Sequence, residues 1–138
     1  MKQFQKALYT AKVHTTGGRD GASRSDDGRL DIKLSVPGSH GNGTNPEQLF
    51  AAGWSACFEG AMALSAAKHK ITLPKGTAID AEVSLCSGDD GYFLQGRLDV
   101  NLPGLSHDMA QALVDEAHAA CPYSKATRNN MAVDIRLI

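Results

Sequence analysis

The sequence predicts an α+β domain with mostly antiparallel strand pairing. Strand-like alternation of apolar and polar residues occurs near both ends of the chain and in its middle, and two helix patterns separate these strands. With 138 residues and neither a repeat nor a linker, the chain is long enough for one core. We therefore expect a single domain over residues 1–138.

Composition argues against several classes of protein. The net charge of −1 and the hydrophobic content of 42% are ordinary for a globular chain and give no sign of a nucleic-acid partner. The N-terminus lacks the apolar segment of a secretory signal. Charged residues interrupt every stretch that is long enough to span a membrane. We therefore expect a cytoplasmic protein with no membrane partner.

The N-terminal third is predicted to form two strands joined by a glycine-rich loop. Residues 6–14 and 29–36 are the strands, and the second of them alternates apolar and polar residues. The loop, residues 15–21, contains three glycines and a conspicuous arginine, Arg19. A second glycine-rich loop, residues 37–44, leads to the first helix.

A long buried helix is predicted from Asn45 to about Lys70. Asn45 suits the N-cap, Pro46 the first helical position, and Glu47 the positive end of the helix dipole. Residues 49–67 are apolar or small on nearly every side, so the helix should be buried all round. A chain of this size would struggle to cover it alone, and we expect a second copy to do so.

The remaining predicted elements are a strand over 78–86, a strand over 92–102, a helix over 106–120, a short helix over 122–127 and a strand over 132–138. The turn Gly88-Asp89-Asp90-Gly91 favours a hairpin between the first two. Pro122 cannot continue the preceding helix cleanly but suits the first position of the next. The last strand alternates again and should complete a sheet.

Two cysteines lie where a reactive thiol pair would be expected. Cys57 is in the middle of the apolar helix, with Gly53 and Gly60 on the same face. These glycines leave a slot beside the sulfur for substrate or a second chain element, and close helix packing is an additional role. Cys121 stands before Pro122, at the N-cap of the short helix, where N–H groups stabilise a thiolate. A peroxide-reducing dithiol enzyme is therefore the first hypothesis.

Other readings of the ionisable residues are less specific. Three cysteines in an apparently unsecreted chain do not indicate a disulfide framework. Cys86, at the end of a strand, is interpreted as incidental. Glu59 is a candidate for an ion pair with a lysine or arginine of a partner chain. The histidines show no ligand spacing near a cysteine, so no metal is expected. A non-enzymatic redox sensor and a packing module with inert cysteines remain alternatives, although no basic face supports a DNA-binding output.

Four motifs resemble the organic hydroperoxide resistance proteins of the OsmC/Ohr family. They are Thr16–Gly21, Gly43–Gly53, Ser55–Phe58 and Cys121–Arg128. They occur in family order along essentially the whole chain, and the arginine in the glycine loop favours the organic hydroperoxide resistance branch over the osmotically induced branch. The resemblance implies mostly antiparallel sheets wrapped around long central helices in an intertwined homodimer.

The same resemblance implies a role for each site residue. Cys57 is the peroxidatic cysteine and Cys121 the resolving one, while Arg19 and Glu47 form a polar pair around the reactive sulfur. No bound cofactor is expected. The implied substrate is an organic hydroperoxide, reduced in the response to oxidative stress. The implied electron donor is a dihydrolipoyl group on a lipoylated partner protein.

Three residues near the start of the helix are candidates for substrate binding. Phe50 and Trp54 would favour bulky organic peroxides over hydrogen peroxide, and Gly53 would leave space beside the sulfur. For each of the two aromatic residues, core packing is the alternative explanation.

The spacing of Glu47 and Cys57 predicts a shared site. Ten residues of helix separate them by about 15 Å along the axis, too far for the carboxylate to reach the sulfur. Either the helix breaks at Gly53, or Glu47 serves the Cys57 of the other subunit. We expect the second arrangement. Each site would then take Cys57 and Cys121 from one chain and Glu47, with Arg19, from the other.

Overall fold

Helices and strands alternate in an α+β architecture, as the sequence predicts. The computed structural model describes residues 5–138, and these divide into two units, one ending at Pro46 and one running from Glu47 to Ile138. Each unit has its own three-stranded sheet. Three of the four strand pairs are antiparallel, in agreement with the predicted pairing. The single domain over 1–138 stays a prediction.

Three short strands form the sheet of the first unit: β1 (Val13–Thr16), β2 (Ala22–Ser25) and β3 (Asp31–Lys33). They pair antiparallel in chain order. The sequence prediction was wrong here in three respects. It began the first strand too early and ended it too soon, over 6–14, so that Thr15 and Thr16 were assigned to the loop. It extended the last strand, 29–36, beyond both ends of β3, and it placed no strand at β2.

Turns rather than a residue pattern specify β2. The strand is only four residues long and three of them are polar, so it has no apolar alternation to reveal it. The turn after it is fixed by Asp27, whose Oδ1 accepts from the Ser25 hydroxyl at 2.7 Å and from the Arg29 N–H at 3.0 Å. Before it, any side chain at Gly21 would overlap the Thr16 carbonyl.

The elements that follow are α1 (Pro46–Lys68), β4 (Ala78–Gly88), β5 (Gly91–Asn101), α2 (His107–Ala120), α3 (Pro122–Thr127) and β6 (Ala132–Leu137). Each lies within two residues of its predicted bounds. The sheet order is β4-β5-β6, and β6 pairs parallel to β5 because α2 and α3 carry the chain back across the sheet. Ser106 caps α2 as predicted, its hydroxyl accepting from the Met109 N–H at 3.2 Å.

The core of this unit is made by one face of α1, the inner face of the sheet and α2. The large side chains that are fully buried in it are Trp54, Phe58, Met62, Leu98, Val100 and Leu113. By length and hydropathy alone α1 could cross a membrane. Its buried side chains instead belong to the protein's own core, as in the central helix of a globular domain.

Gly96 of β5 lets α1 approach the sheet. A methyl group at this position would lie 2.5 Å from Cζ3 of Trp54 and 3.0 Å from Cε of Met131. We expect Gly96→Ala to destabilise the protein by about 1–3 kcal/mol through overpacking. Urea unfolding would measure the change. Adding Trp54→Phe, which removes the indole ring atom in closest contact, should make the double variant less unstable than the sum of the two single variants; strict additivity would contradict this packing.

Candidate functional site

Cys57 and Cys121 are neighbours inside the second unit. Cys57 lies on α1 and is half-buried, whereas Cys121 is fully buried in the core cluster against which Cys57 packs. Both are free thiols. The Cys121 thiol is within hydrogen-bonding reach of the Cys57 sulfur. The two thiols therefore face each other at a site that solvent reaches only from the Cys57 side.

The junction of α2 and α3 orients Cys121. Its N–H donates to the Ala117 carbonyl at 2.7 Å, which ends α2, and its carbonyl accepts from the Lys125 N–H at 2.9 Å, which begins α3. Cys121 itself is extended, with φ −60° and ψ 126°, and Pro122 occupies the first position of α3. The chain thus bends sharply at Cys121, and this bend buries the sulfur.

The start of α3 lies beside both thiols. Cys121 occupies the N-cap of α3, as predicted, but its side chain makes no capping hydrogen bond. The Tyr123 backbone N–H acts on the sulfur of Cys57 instead and works to lower the pKa of that thiol. It thereby favours the thiolate form of Cys57, against the larger effect of burial.

The surroundings of Cys57 raise the pKa of its thiol. The largest cause is burial, followed by the hydrogen bond and the charge of Cys121, while the Tyr123 N–H acts in the opposite direction. Among the described residues that shift this pKa, none brings a positive charge. Since the thiolate is the nucleophile, peroxide chemistry at Cys57 requires a cation near the sulfur.

Gly53 accommodates the side chain of Tyr123. A Cβ on Gly53 would lie 2.5 Å from the Tyr123 hydroxyl oxygen and 3.1 Å from Cζ. The slot predicted on this side of Cys57 is thus occupied by a second element of the same chain. On the other side, a Cβ on Gly60 would meet nothing within 4 Å, and the slot is open.

The two aromatic candidates for substrate binding lie in different surroundings. Phe50 is half-buried and packs edge-on against Tyr123 at 5.6 Å and Trp54 at 6.3 Å between ring centroids. With Tyr123 it lines a cavity of about 580 Å³. Trp54 has no exposed surface and packs over Gly96. This burial is what the alternative explanation, a role in core packing, predicts for Trp54.

An open groove runs along α1 and α2 from Cys57. Its volume is about 1310 Å³. Its apolar lining near the thiol is Gly60, Ala61, Leu64, Ala119, Ala120 and Pro122. Leu64 is 71% exposed, although it belongs to the most apolar helix of the chain. We call this surface the α1 groove.

The far end of the α1 groove is polar. The Glu116 carboxylate accepts a hydrogen bond from the Ser65 hydroxyl and lies 2.8 Å from Nε2 of His69. These contacts, the Ser65 bond first, hold the pKa of Glu116 below its usual range. Lys68 and Lys125 also line the groove. Across the described range 5–138, no three His, Cys, Asp or Glu side chains are gathered so that they could hold a metal ion.

The predicted polar pair comes from two different segments. Arg19 lies in a 3₁₀ turn of the first unit, Gly18–Asp20, and is exposed. Glu47 is in the first turn of α1 and is half-buried. The helix continues through Gly53 without interruption, so the helix break considered as one alternative was wrong. Glu59 is half-buried on α1, and no ion pair involving it occurs among residues 5–138.

Sequence reasoning did not identify Tyr123. Its position two residues after Cys121 makes it a neighbour of the thiol in the chain, which is a signal that could have been used. Nothing in the spacing, however, indicates that its ring reaches back to Gly53, since that contact depends on how α3 packs on α1.

Residues 38–136 match the family model described as OsmC-like protein. The chain belongs to the OsmC/Ohr family. It is 47% identical to an organic hydroperoxide resistance protein of Xanthomonas axonopodis pv. citri, in an alignment of 141 positions that covers 99% of each chain. With the organic hydroperoxide resistance protein OhrB of Bacillus subtilis it shares 46% identity, in an alignment of 136 positions that covers 95% of this chain and 98% of that protein.

The fold of the OsmC/Ohr family is confirmed by solved structures. The crystal structure of OhrB of Bacillus subtilis matches with a TM-score of 0.90 at 44% identity, covering 96% of this chain and all of the other. An organic hydroperoxide resistance protein of Legionella pneumophila matches with a TM-score of 0.89 at 43% identity, covering 96% and 98%. Both relatives are named as organic hydroperoxide resistance proteins, which is the branch that the arginine in the glycine loop favours.

Proposed function

We propose that this protein is a cysteine-based peroxidase that reduces organic hydroperoxides to alcohols. The observation that carries the proposal is the pairing of Cys57 with Cys121, a half-exposed thiol beside a fully buried one. The high identity to proteins named for organic hydroperoxide resistance supports the choice of substrate. A role in the response to oxidative stress in the cytoplasm is part of the same proposal.

The reaction proceeds in three balanced steps. The Cys57 thiolate attacks one oxygen of the hydroperoxide, the O–O bond breaks, and the alkoxide leaves as an alcohol after taking a proton, so that Cys57 becomes a sulfenic acid. Cys121 condenses with it, forming a disulfide and releasing water. A dithiol reopens the disulfide by exchange and is itself oxidised to a disulfide.

The accessible sulfur determines where the reductant enters. Cys121 is fully buried and Cys57 is half-exposed, so an incoming thiolate attacks the sulfur of Cys57 and Cys121 departs as the leaving group. A dihydrolipoyl group on a lipoylated protein suits this step, because its two thiols close into a ring and complete the exchange. No bound cofactor is needed.

Arg19 and Glu47 supply the charge that the reactive thiol requires. The pKa of the Cys57 thiol is raised by burial and by Cys121, and a guanidinium beside the sulfur would lower it. The same group would donate hydrogen bonds to the departing alkoxide, and Glu47 would orient it. In this proposal both residues come from the second subunit of a homodimer.

A panel of peroxides and reductants tests the proposal. Cumene hydroperoxide, tert-butyl hydroperoxide and hydrogen peroxide would each be supplied with dihydrolipoamide or with thioredoxin as electron donor. We expect the organic peroxides to be consumed fastest with dihydrolipoamide. Reversible formation of the disulfide without sustained turnover would instead support a non-enzymatic redox sensor. If neither thiol were oxidised, the result would support a packing module with inert cysteines.

Arg19→Ala should slow oxidation of Cys57 much more than it destabilises the fold, because Arg19 is exposed in a short turn. Losing a charged donor at a developing anion costs about 3 kcal/mol of barrier, or roughly a hundredfold in rate. Stopped-flow oxidation by cumene hydroperoxide would measure the rate. Alkylation of Cys57 as a function of pH should also shift to higher pH, since the thiolate loses a cation. A wild-type rate combined with a lower melting temperature would indicate a structural ion pair instead.

A further inference from the structure

Tyr123 contacts α1 at two points. Its backbone N–H lies close enough to the sulfur of Cys57 to act against the rise in the pKa of that thiol. The hydroxyl end of its ring lies against Gly53, where a Cβ would come within 2.5 Å of the oxygen. Gly53 and Cys57 are four residues apart, so the two contacts lie about 6 Å apart along the helix. One residue thus spans a full turn of α1 beside the reactive thiol.

The ring of Tyr123 is held on a second side by Phe50. The two rings meet edge to face, with their centroids 5.6 Å apart and their planes at 84°. The hydroxyl end of the ring approaches Gly53 so closely that a Cβ there would lie 2.5 Å from the oxygen. The absence of a side chain on Gly53 is what allows the fit.

The segment that carries Cys121 needs such an anchor. Cys121 stands at a bend between α2 and α3, and α3 is only six residues long. The rate and the equilibrium of disulfide formation depend on how closely the two sulfurs are held together. A small shift of this bend would move the Cys121 sulfur away from Cys57.

We propose that Tyr123 is a positioning residue for the thiol pair: its ring, seated over Gly53, clamps the bend at Cys121 onto α1. The inference rests on the proposed function, in which Cys57 and Cys121 form a disulfide. It assigns Gly53 the task of receiving this ring. It also explains why the slot beside Cys57 is filled at Gly53 and left open at Gly60.

The effective concentration of the two thiols tests the clamp. The protein, carrying Cys86→Ser, is equilibrated with a mixture of oxidised and reduced glutathione. In this equilibrium one molecule of oxidised glutathione converts the two thiols to the Cys57–Cys121 disulfide and is reduced to two molecules of glutathione. Alkylation and mass spectrometry give the oxidised fraction. We expect Tyr123→Ala to lower the effective concentration by at least about tenfold. Tyr123→Phe keeps the ring and should stay within about twofold of wild type.

Two further variants make the test specific. Tyr92→Ala removes a tyrosine that is 81% exposed and should leave the equilibrium unchanged. Gly53→Ala should lower the effective concentration by displacing the ring. The double variant Gly53→Ala/Tyr123→Ala should have the same effective concentration as Tyr123→Ala alone, because both substitutions break the same contact.

A wild-type effective concentration of the thiols in Tyr123→Ala or in Gly53→Ala would refute the clamp. So would an equally large decrease in Tyr123→Phe and in Tyr123→Ala. Additive effects of Gly53→Ala and Tyr123→Ala in the double variant would refute it as well. If Tyr123→Ala does not fold, Gly53→Ala and its combination with Tyr123→Phe decide the question, since removing the hydroxyl should restore part of the loss. The equilibrium needs no peroxide. Failure of the wild type to turn over peroxide would therefore count against the proposed function and leave this test intact.

Discussion

Cys57→Ser is expected to abolish peroxide reduction. A serine hydroxyl is not appreciably ionised near neutral pH, so the nucleophile is lost while the side chain keeps nearly the same shape. Consumption of cumene hydroperoxide with dihydrolipoamide as donor would measure the effect. Residual turnover above a few per cent of the wild-type rate would contradict the assignment of Cys57 as the peroxidatic residue.

Cys121→Ser should have a different kinetic signature. Cys57 would react once and remain a sulfenic acid, because the thiol that condenses with it is missing, and further peroxide would over-oxidise it. Mass spectrometry should show oxygen added to Cys57 in this variant and a Cys57–Cys121 disulfide in the oxidised wild type. Cys86→Ser is the matched control and should change little. A disulfide that contains Cys86 would show that the resolving residue has been assigned wrongly.

The helices and the long hairpin could be predicted because local signals agree with the fold. α1 begins at Pro46 in an N-cap context, and α3 begins at Pro122 for the same physical reason. Both ends of the hairpin turn carry a glycine, at Gly88 and Gly91. Where capping, turn chemistry and hydrophobic period point to the same element, the sequence alone locates it.

The first unit could not be predicted as well because contacts between short strands define it. β2 has four residues, too few for an alternation to be distinguished from chance, and the alternation over 29–36 continues beyond β3, which has only three. The same limit applies within the candidate site. Cys57 and Cys121 are recognisable as residue types in context, whereas the approach of Tyr123 to Gly53 depends on packing between elements 70 residues apart in the chain.

The uncovered face of α1 is the main argument for a partner subunit. One face of the helix is in the core, with Trp54, Phe58 and Met62 fully buried. The opposite side carries Leu64, 71% exposed, along the α1 groove that starts at Cys57. Monomeric globular proteins seldom leave an apolar surface of this kind open to water. A second copy laid along α1 would cover the groove and bring new residues to the reactive thiol.

The unbroken helix limits which Glu47 could act at a given Cys57. From Glu47 to Cys57 the helix rises about 15 Å, and it is continuous through Gly53, so Glu47 cannot reach the sulfur of its own chain. If Glu47 belongs to the reactive site, it must therefore come from the other subunit. Each homodimer would then contain two composite sites, related by its two-fold axis.

Mixing two inactive variants tests this arrangement. In a heterodimer of Cys57→Ser and Glu47→Ala subunits, one composite site carries both substitutions and the other carries neither. After complete subunit exchange at equal concentrations, half of the dimers are heterodimers, and about a quarter of all sites should be active. A mixture of Cys57→Ser with Cys121→Ser is the control. Because both cysteines of a site come from one chain, every site in this mixture carries one of the two substitutions, and sustained turnover should not return. Recovery in the control, or none in the first mixture once native mass spectrometry confirms exchange, would rule out composite sites of this composition.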